Sequence, residues 1–267
     1  MNPFIVVIIL AIVEGLTEFV PVSSTGHMIL VEKLINSPQI SQSFLNSFLV
    51  IIQFGAILSV VVYFWKDLHP FLKNKGEFQE RMRLWSKIIV GVIPAGVIGL
   101  MLDDYIESIM DGAHIVAAAL IIYGIIFIFI EDKIKMVPKV NNLKEMSYKL
   151  AIAIGFFQCL AMIPGTSRSG ATIIGALLLG VSRGVAAEFS FFLAIPTMAG
   201  ATLLKLVKNG VSFTPLEWQL LILGMVVSFL VAYIVIKWFM GYIRTKTFKV
   251  FGYYRVAVGI LVLLMML

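Results

Sequence analysis

Charged residues are scarce in this sequence, and their scarcity narrows the class of protein. Asp, Glu, Lys and Arg make up 13% of the 267 residues, whereas soluble domains carry about a quarter. Hydrophobic residues make up 60%, and the mean hydropathy is +0.99. A chain this apolar needs lipid around it, so we predict a membrane protein with several spans and no nucleic-acid partner.

Cysteine and histidine are also rare. The single cysteine, Cys159, lies in an apolar run and cannot form an intramolecular disulfide. Together with the three histidines it makes no constellation at the spacing of a zinc site. The sequence therefore excludes a disulfide framework and offers no ligand set for zinc.

Six apolar runs are close to the roughly 20 residues that a helix needs to cross the bilayer hydrocarbon. They lie at about 44–65, 86–102, 113–130, 187–207, 216–237 and 250–267. The runs 3–13, 28–35, 148–163 and 171–181 are shorter or broken by polar clusters, which is typical of re-entrant segments. The predicted fold class is an all-α polytopic membrane protein with six transmembrane helices and two re-entrant helix-loop-helix segments.

The basic residues predict the orientation. Segments 66–87, 131–149 and 237–249 together hold 15 of the 21 Lys and Arg residues, whereas 34–43 and 103–112 hold none. The positive-inside rule places the three basic segments in the cytoplasm and the other two outside.

Two polar clusters resemble each other and indicate an internal repeat. EGLTEFVPVSSTG (14–26) and QCLAMIPGTSRSG (158–170) align with a one-residue gap, and similar spans follow each of them. We predict one membrane domain, 1–267, made of a first repeat at 1–133 and a second at 147–267. Each repeat has one hairpin and three spans, an odd number, so the second must have inverted topology. Such repeats place a binding site near the bilayer midplane.

Two glutamates in the first cluster are candidate metal ligands. Glu14 and Glu18 are four residues apart and project from one face of a helix. Two carboxylates at membrane depth need a cation, a shared proton or a basic partner. Carboxylate oxygens suit Mg²⁺ or Ca²⁺, and Mg²⁺ typically takes one or two carboxylates together with substrate phosphate oxygens.

The hydroxyl groups that follow are candidates for catalysis. Ser23, Ser24 and Thr25 precede Gly26 and His27, and one of the hydroxyls is expected to cap the next helix. A serine or a histidine close to a glutamate can serve as nucleophile or as acid and base.

The second cluster contains an arginine at membrane depth, where a cation requires an anionic partner. The planar guanidinium of Arg168 matches phosphate oxygens, although pairing with Glu14 or Glu18 is an alternative. A helix that begins near residue 169 would add backbone donors and a favourable dipole. The other candidate phosphate-binding residues are Gly165, Ser167, Ser169, Gly170 and Thr172, with Thr25 from the first cluster.

Three further polar residues are candidates for support of the site. Gln53 and Glu188 begin or interrupt apolar runs, and Gln158 takes the place of Glu14 in the second repeat, where we expect it to form a hydrogen bond instead of binding metal. Together the two clusters offer carboxylates, hydroxyls and an anion-binding site, which are the groups required for phosphoryl transfer. Their place in the membrane predicts a lipid phosphate as the substrate.

At these residues the chain resembles the undecaprenyl-diphosphate phosphatases associated with bacitracin resistance. EGLTEFVPVSSTGH looks like the glutamate-rich motif of that family and PGTSRSGAT like its arginine-bearing motif, and the similarity runs from about residue 4 to the C-terminus.

The resemblance implies an enzyme of the bacterial inner membrane with its active site facing the periplasm. It would hydrolyse undecaprenyl diphosphate to the monophosphate carrier lipid and inorganic phosphate, with Mg²⁺ or Ca²⁺. The residues that match Glu14 and Glu18 would bind the metal and take part in catalysis, and those that match Ser24, His27 and Arg168 would be essential. It leaves open whether the serine or the histidine attacks.

Two further expectations complete the sequence-based hypothesis. Inverted repeats with re-entrant segments are also typical of transporters, so a polyprenyl-phosphate flippase is the alternative function. The sequence also leaves a homodimer open.

Overall fold

The computed structural model describes residues 1–35, 40–70, 75–109, 112–133, 138–209 and 213–265. Within those residues the chain is helical, and its β-structure is one isolated bridge between Val140 and Val181. The α-helices are α1 (Pro3–Thr17), α2 (Ser24–Leu34), α3 (Gln42–Tyr63), α4 (Trp65–Leu68), α5 (Lys75–Ile109), α6 (Ala113–Lys133), α7 (Tyr148–Cys159), α8 (Arg168–Leu178), α9 (Arg183–Asn209), α10 (Pro215–Ile243) and α11 (Lys249–Leu264). Two 3₁₀ turns lie at Leu143–Glu145 and Leu160–Met162.

Five of the described helices, α3, α5, α6, α9 and α10, are long and apolar enough to cross a membrane. The chain is therefore an all-helical, multi-pass membrane protein. Helix α11 has 16 residues, about 24 Å at 1.5 Å per residue, so the sixth predicted span stays a prediction. Helices α1 and α8, and α7 with its 3₁₀ extension, are the shorter apolar segments that we interpreted as re-entrant.

Helix α5 differs most from the prediction. We assigned 66–87 to a loop and began the span at residue 86, but α5 begins at Lys75 and has 35 residues, about 52 Å. The hydrocarbon is only about 30 Å thick, and the charged residues at its start are good helix formers. Hydropathy marks where a helix enters lipid, and the helix itself begins earlier.

The loop charges that predict the orientation are only partly covered. Residues 36–39, 71–74, 110–111, 134–137 and 210–212, and the side chains of 103–109, lie outside the described part of the chain. The orientation and the repeat boundaries at 133 and 147 therefore stay predictions.

The helices pack in a pattern that pairs the two halves. Helix α1 packs on α10, and α7 packs on α5; α3 contacts α10, and α9 contacts α5. Two pairs join equivalent helices, α3 with α9 and α6 with α11. The α6–α11 crossing is close at Gly124, where an added Cβ would lie 2.8 Å from the carbonyl oxygen of Gly252. The two halves are thus interleaved in one helical body.

Each half begins with a helix, a tight turn and a second helix. The first turn (residues 18–23) joins α1 to α2, and the second turn (residues 163–167) follows α7 and its 3₁₀ extension and leads into α8. Ser23 and Ser167 end these turns with φ of 72° and 74°, and they are the non-glycine residues with positive φ in the described chain. Their hydroxyls accept hydrogen bonds from the amides of Gly26 and Gly170 and so cap α2 and α8.

A buried aromatic cluster supports the turns. The ring of Phe19, which is fully buried, meets Phe191 edge-to-face at 5.2 Å. Phe191 and Phe192 of α9 in turn contact Phe64, which lies beyond the end of α3. The first turn is therefore anchored to helices of both halves.

Candidate functional site

Three of the predicted residues meet at one point. Ser24 Oγ donates a hydrogen bond to Glu18 Oε2 at 2.9 Å. A nitrogen of the Arg168 guanidinium lies 3.3 Å from Glu18 Oε1. One carboxylate thus joins the hydroxyl of the first half to the cation of the second, 150 residues away in the sequence.

Arg168 is placed by both halves of the chain. Its guanidinium donates to the carbonyl oxygen of Ser190 on α9 at 2.9 Å and lies 5.9 Å from the centre of the Phe19 ring. Its Nε is buried and has no hydrogen-bond partner within the described residues. A donor is therefore left that a bound anion can accept from.

A cavity of about 160 Å³ opens beside these groups. It is lined by Glu18, Ser23, Ser24, Thr25, Gln53, Ala161, Pro164, Gly165, Ser167, Arg168 and Met198. We call it the polar cavity. Its walls come from both turns, from α3 and from α9. Gly165 has φ of 91°, and an added Cβ there would lie 2.5 Å from the carbonyl oxygen of Val116, so the second turn requires glycine at this position.

Three predicted phosphate-binding residues lie behind the cavity wall. Ser169 is fully buried and donates to the carbonyl oxygens of Glu18 and Val20. Thr172 bonds to the hydroxyl of Ser190 at 2.7 Å. Gly170 uses its amide to complete the cap of α8. Ser169 thus joins the second turn to the first, whereas Thr172 joins α8 to α9. The lining of the polar cavity includes none of the three.

His27 also points away from the polar cavity. Its Nδ1 is 2.7 Å from the carbonyl oxygen of Ser23, and its Nε2 is 2.7 Å from the hydroxyl of Tyr254. A carbonyl oxygen only accepts, so Nδ1 carries the hydrogen, and in the neutral ring Nε2 accepts from Tyr254. The histidine therefore holds the backbone of the first turn.

Glu14 is buried one helical turn before Glu18, and its Oε1 has no hydrogen-bond partner within the described residues. Gln158, its counterpart in the second repeat, donates to Thr197 Oγ1 at 3.2 Å, so the expected hydrogen bond is confirmed. Gln53 lines the polar cavity, as predicted. Glu188 lines no described cavity close to the site.

Arg255 is a residue that the sequence analysis missed. It is fully buried on α11 and donates to the carbonyl oxygens of Pro21 at 3.3 Å, Gly165 at 2.9 Å and Thr166 at 2.9 Å. It therefore joins the first turn to the second. A signal was present, because a cation within the apolar run 250–267 is as unfavourable in a membrane as Arg168 within its own run.

The donors at the site suit a phosphorylated ligand. Within the described residues no three His, Cys, Asp or Glu side chains form a cluster that could hold a metal ion by themselves. Two carboxylates beside a guanidinium and a hydroxyl are instead the set that binds a cation jointly with substrate phosphate oxygens. The arrangement can bind an anion, polarise it and present a hydroxyl to it.

Comparison with known proteins gives the family. The model of the bacitracin resistance protein BacA family matches residues 7–261. The chain belongs to the BacA family. A relative from Fusobacterium nucleatum, named undecaprenyl-diphosphatase, is 63% identical over 264 residues, which are 97% of this chain and 99% of that protein. Undecaprenyl-diphosphatase 1 of Clostridioides difficile is 57% identical over 96% of this chain and 93% of its own length.

A third BacA-family relative, the undecaprenyl-diphosphatase of Enterococcus faecalis, is 51% identical over 97% of this chain and 95% of its own. The resemblance noted from the two motifs is therefore confirmed at the level of the family. Both turns and α11 as far as residue 261 lie inside the region that the family model matches.

Proposed function

We propose that this protein hydrolyses undecaprenyl diphosphate to undecaprenyl phosphate and inorganic phosphate. The reaction returns the carrier lipid to cell-wall synthesis and confers resistance to bacitracin. The observation that carries the proposal is the contact of Glu18 with both Ser24 and Arg168 inside an apolar helical bundle. The full-length similarity to proteins named undecaprenyl-diphosphatase supports the same activity.

In the proposed mechanism Ser24 attacks the terminal phosphorus. Its Oγ already donates to Glu18 Oε2, so Glu18 is placed to take the proton. The bond from the terminal phosphorus to the bridging oxygen breaks, and undecaprenyl phosphate leaves. Water then releases phosphate from the serine. Arg168 neutralises charge on the transferred group once its pairing with Glu18 opens.

His27 has a different role in this proposal from the one expected of it. Of the two candidate bases, Glu18 contacts Ser24, whereas both nitrogens of His27 are engaged by Ser23 and Tyr254. We therefore assign His27 to the positioning of the first turn. Attack by His27 itself stays the alternative, and a phosphorylated histidine at this position would establish it.

We further propose a divalent cation, Mg²⁺ or Ca²⁺, as the cofactor. Glu14 and Glu18 would hold it, because Glu14 Oε1 is buried with no hydrogen-bond partner among the described residues, and an anionic oxygen there needs one. The pair leaves room for phosphate oxygens as further ligands. When bound, the cation would neutralise charge on the diphosphate.

For the architecture we propose six spans, two re-entrant hairpins and inverted topology. Two observations support it: α1 packs on α10 of the other half as α7 packs on α5, and a serine caps both α2 and α8. The positive-inside rule and the resemblance favour the bacterial inner membrane, with the site open to the periplasm. A homodimer stays a prediction from the sequence.

Phosphate release in detergent tests the function. Purified wild-type protein with Mg²⁺ and undecaprenyl diphosphate should release inorganic phosphate. Arg168→Ala and Glu18→Gln should each lower kcat/KM by about 100-fold or more, since loss of one donor to a transition state costs about that much. Arg183→Ala is the matched control, because Arg183 pairs with Glu131 and lies outside the polar cavity.

Detergent also separates the enzyme from the flippase alternative, because a micelle has no second side. Wild-type protein that releases no phosphate in micelles, yet moves polyprenyl phosphate across vesicle membranes, would replace the proposal with transport. Unchanged activity in both Arg168→Ala and Glu18→Gln would show that the chemistry lies elsewhere.

A further inference from the structure

We infer that the apolar groove between α5 and α9 binds the isoprenyl tail of the lipid diphosphate next to its head group. The groove has a volume of about 680 Å³, within the roughly 300–1,000 Å³ typical of ligand pockets. The inference rests on the proposed function and adds the site that recognises the chain.

The groove adjoins the polar cavity. Ala161 and Arg168 line both. Among the described residues, the polar lining of the groove is Gln158, Arg168 and Thr197, with Gln158 bonded to Thr197. The polar groups therefore lie together at the end that adjoins the polar cavity, and the rest of the lining is apolar.

From that end the groove follows α9 toward lipid. Gly200, Leu203 and Val207 follow Thr197 along the helix, and a rise of 1.5 Å per residue places Val207 about 15 Å beyond Thr197. Leu203 is 63% exposed and Val207 74%, so the outer end opens to the surroundings of the bundle. In a membrane those surroundings are hydrocarbon, and a long chain can leave the groove there.

A groove that is polar at one end and apolar along the rest fits one class of ligand. The ligand must place an anion at Arg168 and continue directly into an apolar chain that runs outward. A polyprenyl diphosphate has that form, because its diphosphate is bonded to the first isoprene unit. A phospholipid carries glycerol between its phosphate and its chains, so its apolar part does not begin directly at the phosphate.

Glycines give the groove its width. An added Cβ at Gly96 or Gly200 would meet no atom of the described residues within 4 Å, so packing among those residues does not require either glycine. Both residues line the groove. A larger side chain at these positions would therefore occupy the space of the tail without displacing a helix.

The test compares two substrates in three variants. Gly96→Leu and Gly200→Leu fill the groove, and Gly241→Leu is the matched control, since Gly241 is an exposed helix glycine with open space around its Cβ and lies outside both cavities. Phosphate release is measured with undecaprenyl diphosphate and with dimethylallyl diphosphate, which has a single isoprene unit and so lacks the rest of the tail.

The groove variants should raise KM for undecaprenyl diphosphate about tenfold or more, the scale at which a filled apolar pocket discriminates. Their kcat/KM for dimethylallyl diphosphate, and both constants of Gly241→Leu, should match the wild type. Equal losses on both substrates, or no loss on either, would overturn the tail site. Wild-type protein inactive on both substrates would instead refute the proposed function on which the site rests.

Discussion

The two turns end in the same backbone conformation and present different chemistry. Each ends on a serine with positive φ that caps the next helix. The residue after that serine is Ser24 in the first turn and Arg168 in the second, and both contact Glu18. The repeated backbone thus places a hydroxyl and a guanidinium at equivalent positions. The site depends on the places where the two copies differ.

The supports of the two turns differ as well. In the first turn the carbonyl oxygen of Ser23 is held by His27. In the second turn the carbonyl oxygens of Gly165 and Thr166 are held by Arg255, which also reaches Pro21 in the first. Helix α11 carries both Arg255 and Tyr254, the partner of His27. One helix of the second half therefore stabilises both turns.

Within this comparison of the two turns, the largest effect should come from removal of that common support. Arg255→Met should lower kcat/KM by about 100-fold, because a shift of about 1 Å between reacting groups can cost that much. It leaves three buried carbonyl oxygens without a donor and should lower the free energy of unfolding by about 1–3 kcal/mol. Phosphate release and thermal unfolding in detergent measure the two effects.

The control for this prediction is Arg183→Met. Arg183 pairs with the buried carboxylate of Glu131 away from the site, so its loss should lower Tm and leave the activity of the folded fraction unchanged. If Arg255→Met behaved in the same way, the turns would keep their relative position without α11, and the comparison between their supports would have no functional meaning.

Much of the fold could be predicted, because a helix that lies in lipid has a long run of high mean hydropathy. The five long helices and the short apolar segments were all anticipated, with errors at their ends. The start of α5 was wrong because Lys75 and the charged residues after it form helix outside the hydrocarbon. The length of an apolar run reports the thickness of the membrane, whereas a helix ends where its capping and packing end.

The site could be predicted where it consists of polar or charged residues, because such residues are energetically unfavourable in apolar membrane segments. Glu18, Ser24 and Arg168 stood out as polar groups in apolar sequence, and the structure brings them into contact. The contact between His27 and Tyr254 joins residues 227 positions apart, which no local pattern encodes. Ser169 shows the same limit, since its residue type suited phosphate and its buried position directs it to backbone carbonyls.

The second prediction concerns the acidic position that differs between the repeats. Glu14→Gln makes the first repeat resemble the second, where Gln158 stands at this place. The change removes one anionic ligand, so the Mg²⁺ concentration for half-maximal activity should rise about tenfold or more. Titration of metal into chelator-treated protein, followed by phosphate release, measures the shift.

Glu188→Gln is the matched control for Glu14→Gln. It makes the same change on α9, where the charged neighbours of the carboxyl group are Asp67 and Arg244 instead of Glu18 and Arg168, so its Mg²⁺ dependence should equal that of the wild type. A shift in both variants would indicate a general effect of membrane-embedded carboxylates. A shift in neither would remove Glu14 from the cation site and leave Glu18 as its only predicted protein ligand.

The smallest effect should come from His27, and it separates positioning from chemistry. His27→Asn keeps an N–H near the place of Nδ1 and can still donate to the carbonyl oxygen of Ser23, whereas His27→Ala cannot. The kcat/KM of His27→Asn should therefore be about fivefold higher than that of His27→Ala, the equivalent of the roughly 1 kcal/mol that one hydrogen bond contributes.

Tyr254→Phe sharpens this last comparison, because it frees Nε2 and leaves the Ser23 contact intact. If His27 only holds the turn, Tyr254→Phe should retain most of the wild-type kcat/KM. A histidine that attacks or transfers the proton predicts instead that His27→Asn and His27→Ala lose activity to the same large extent, since neither Asn nor Ala has an Nε2. That result would move the nucleophile from Ser24 to His27, and the first turn would then present an imidazole opposite Arg168.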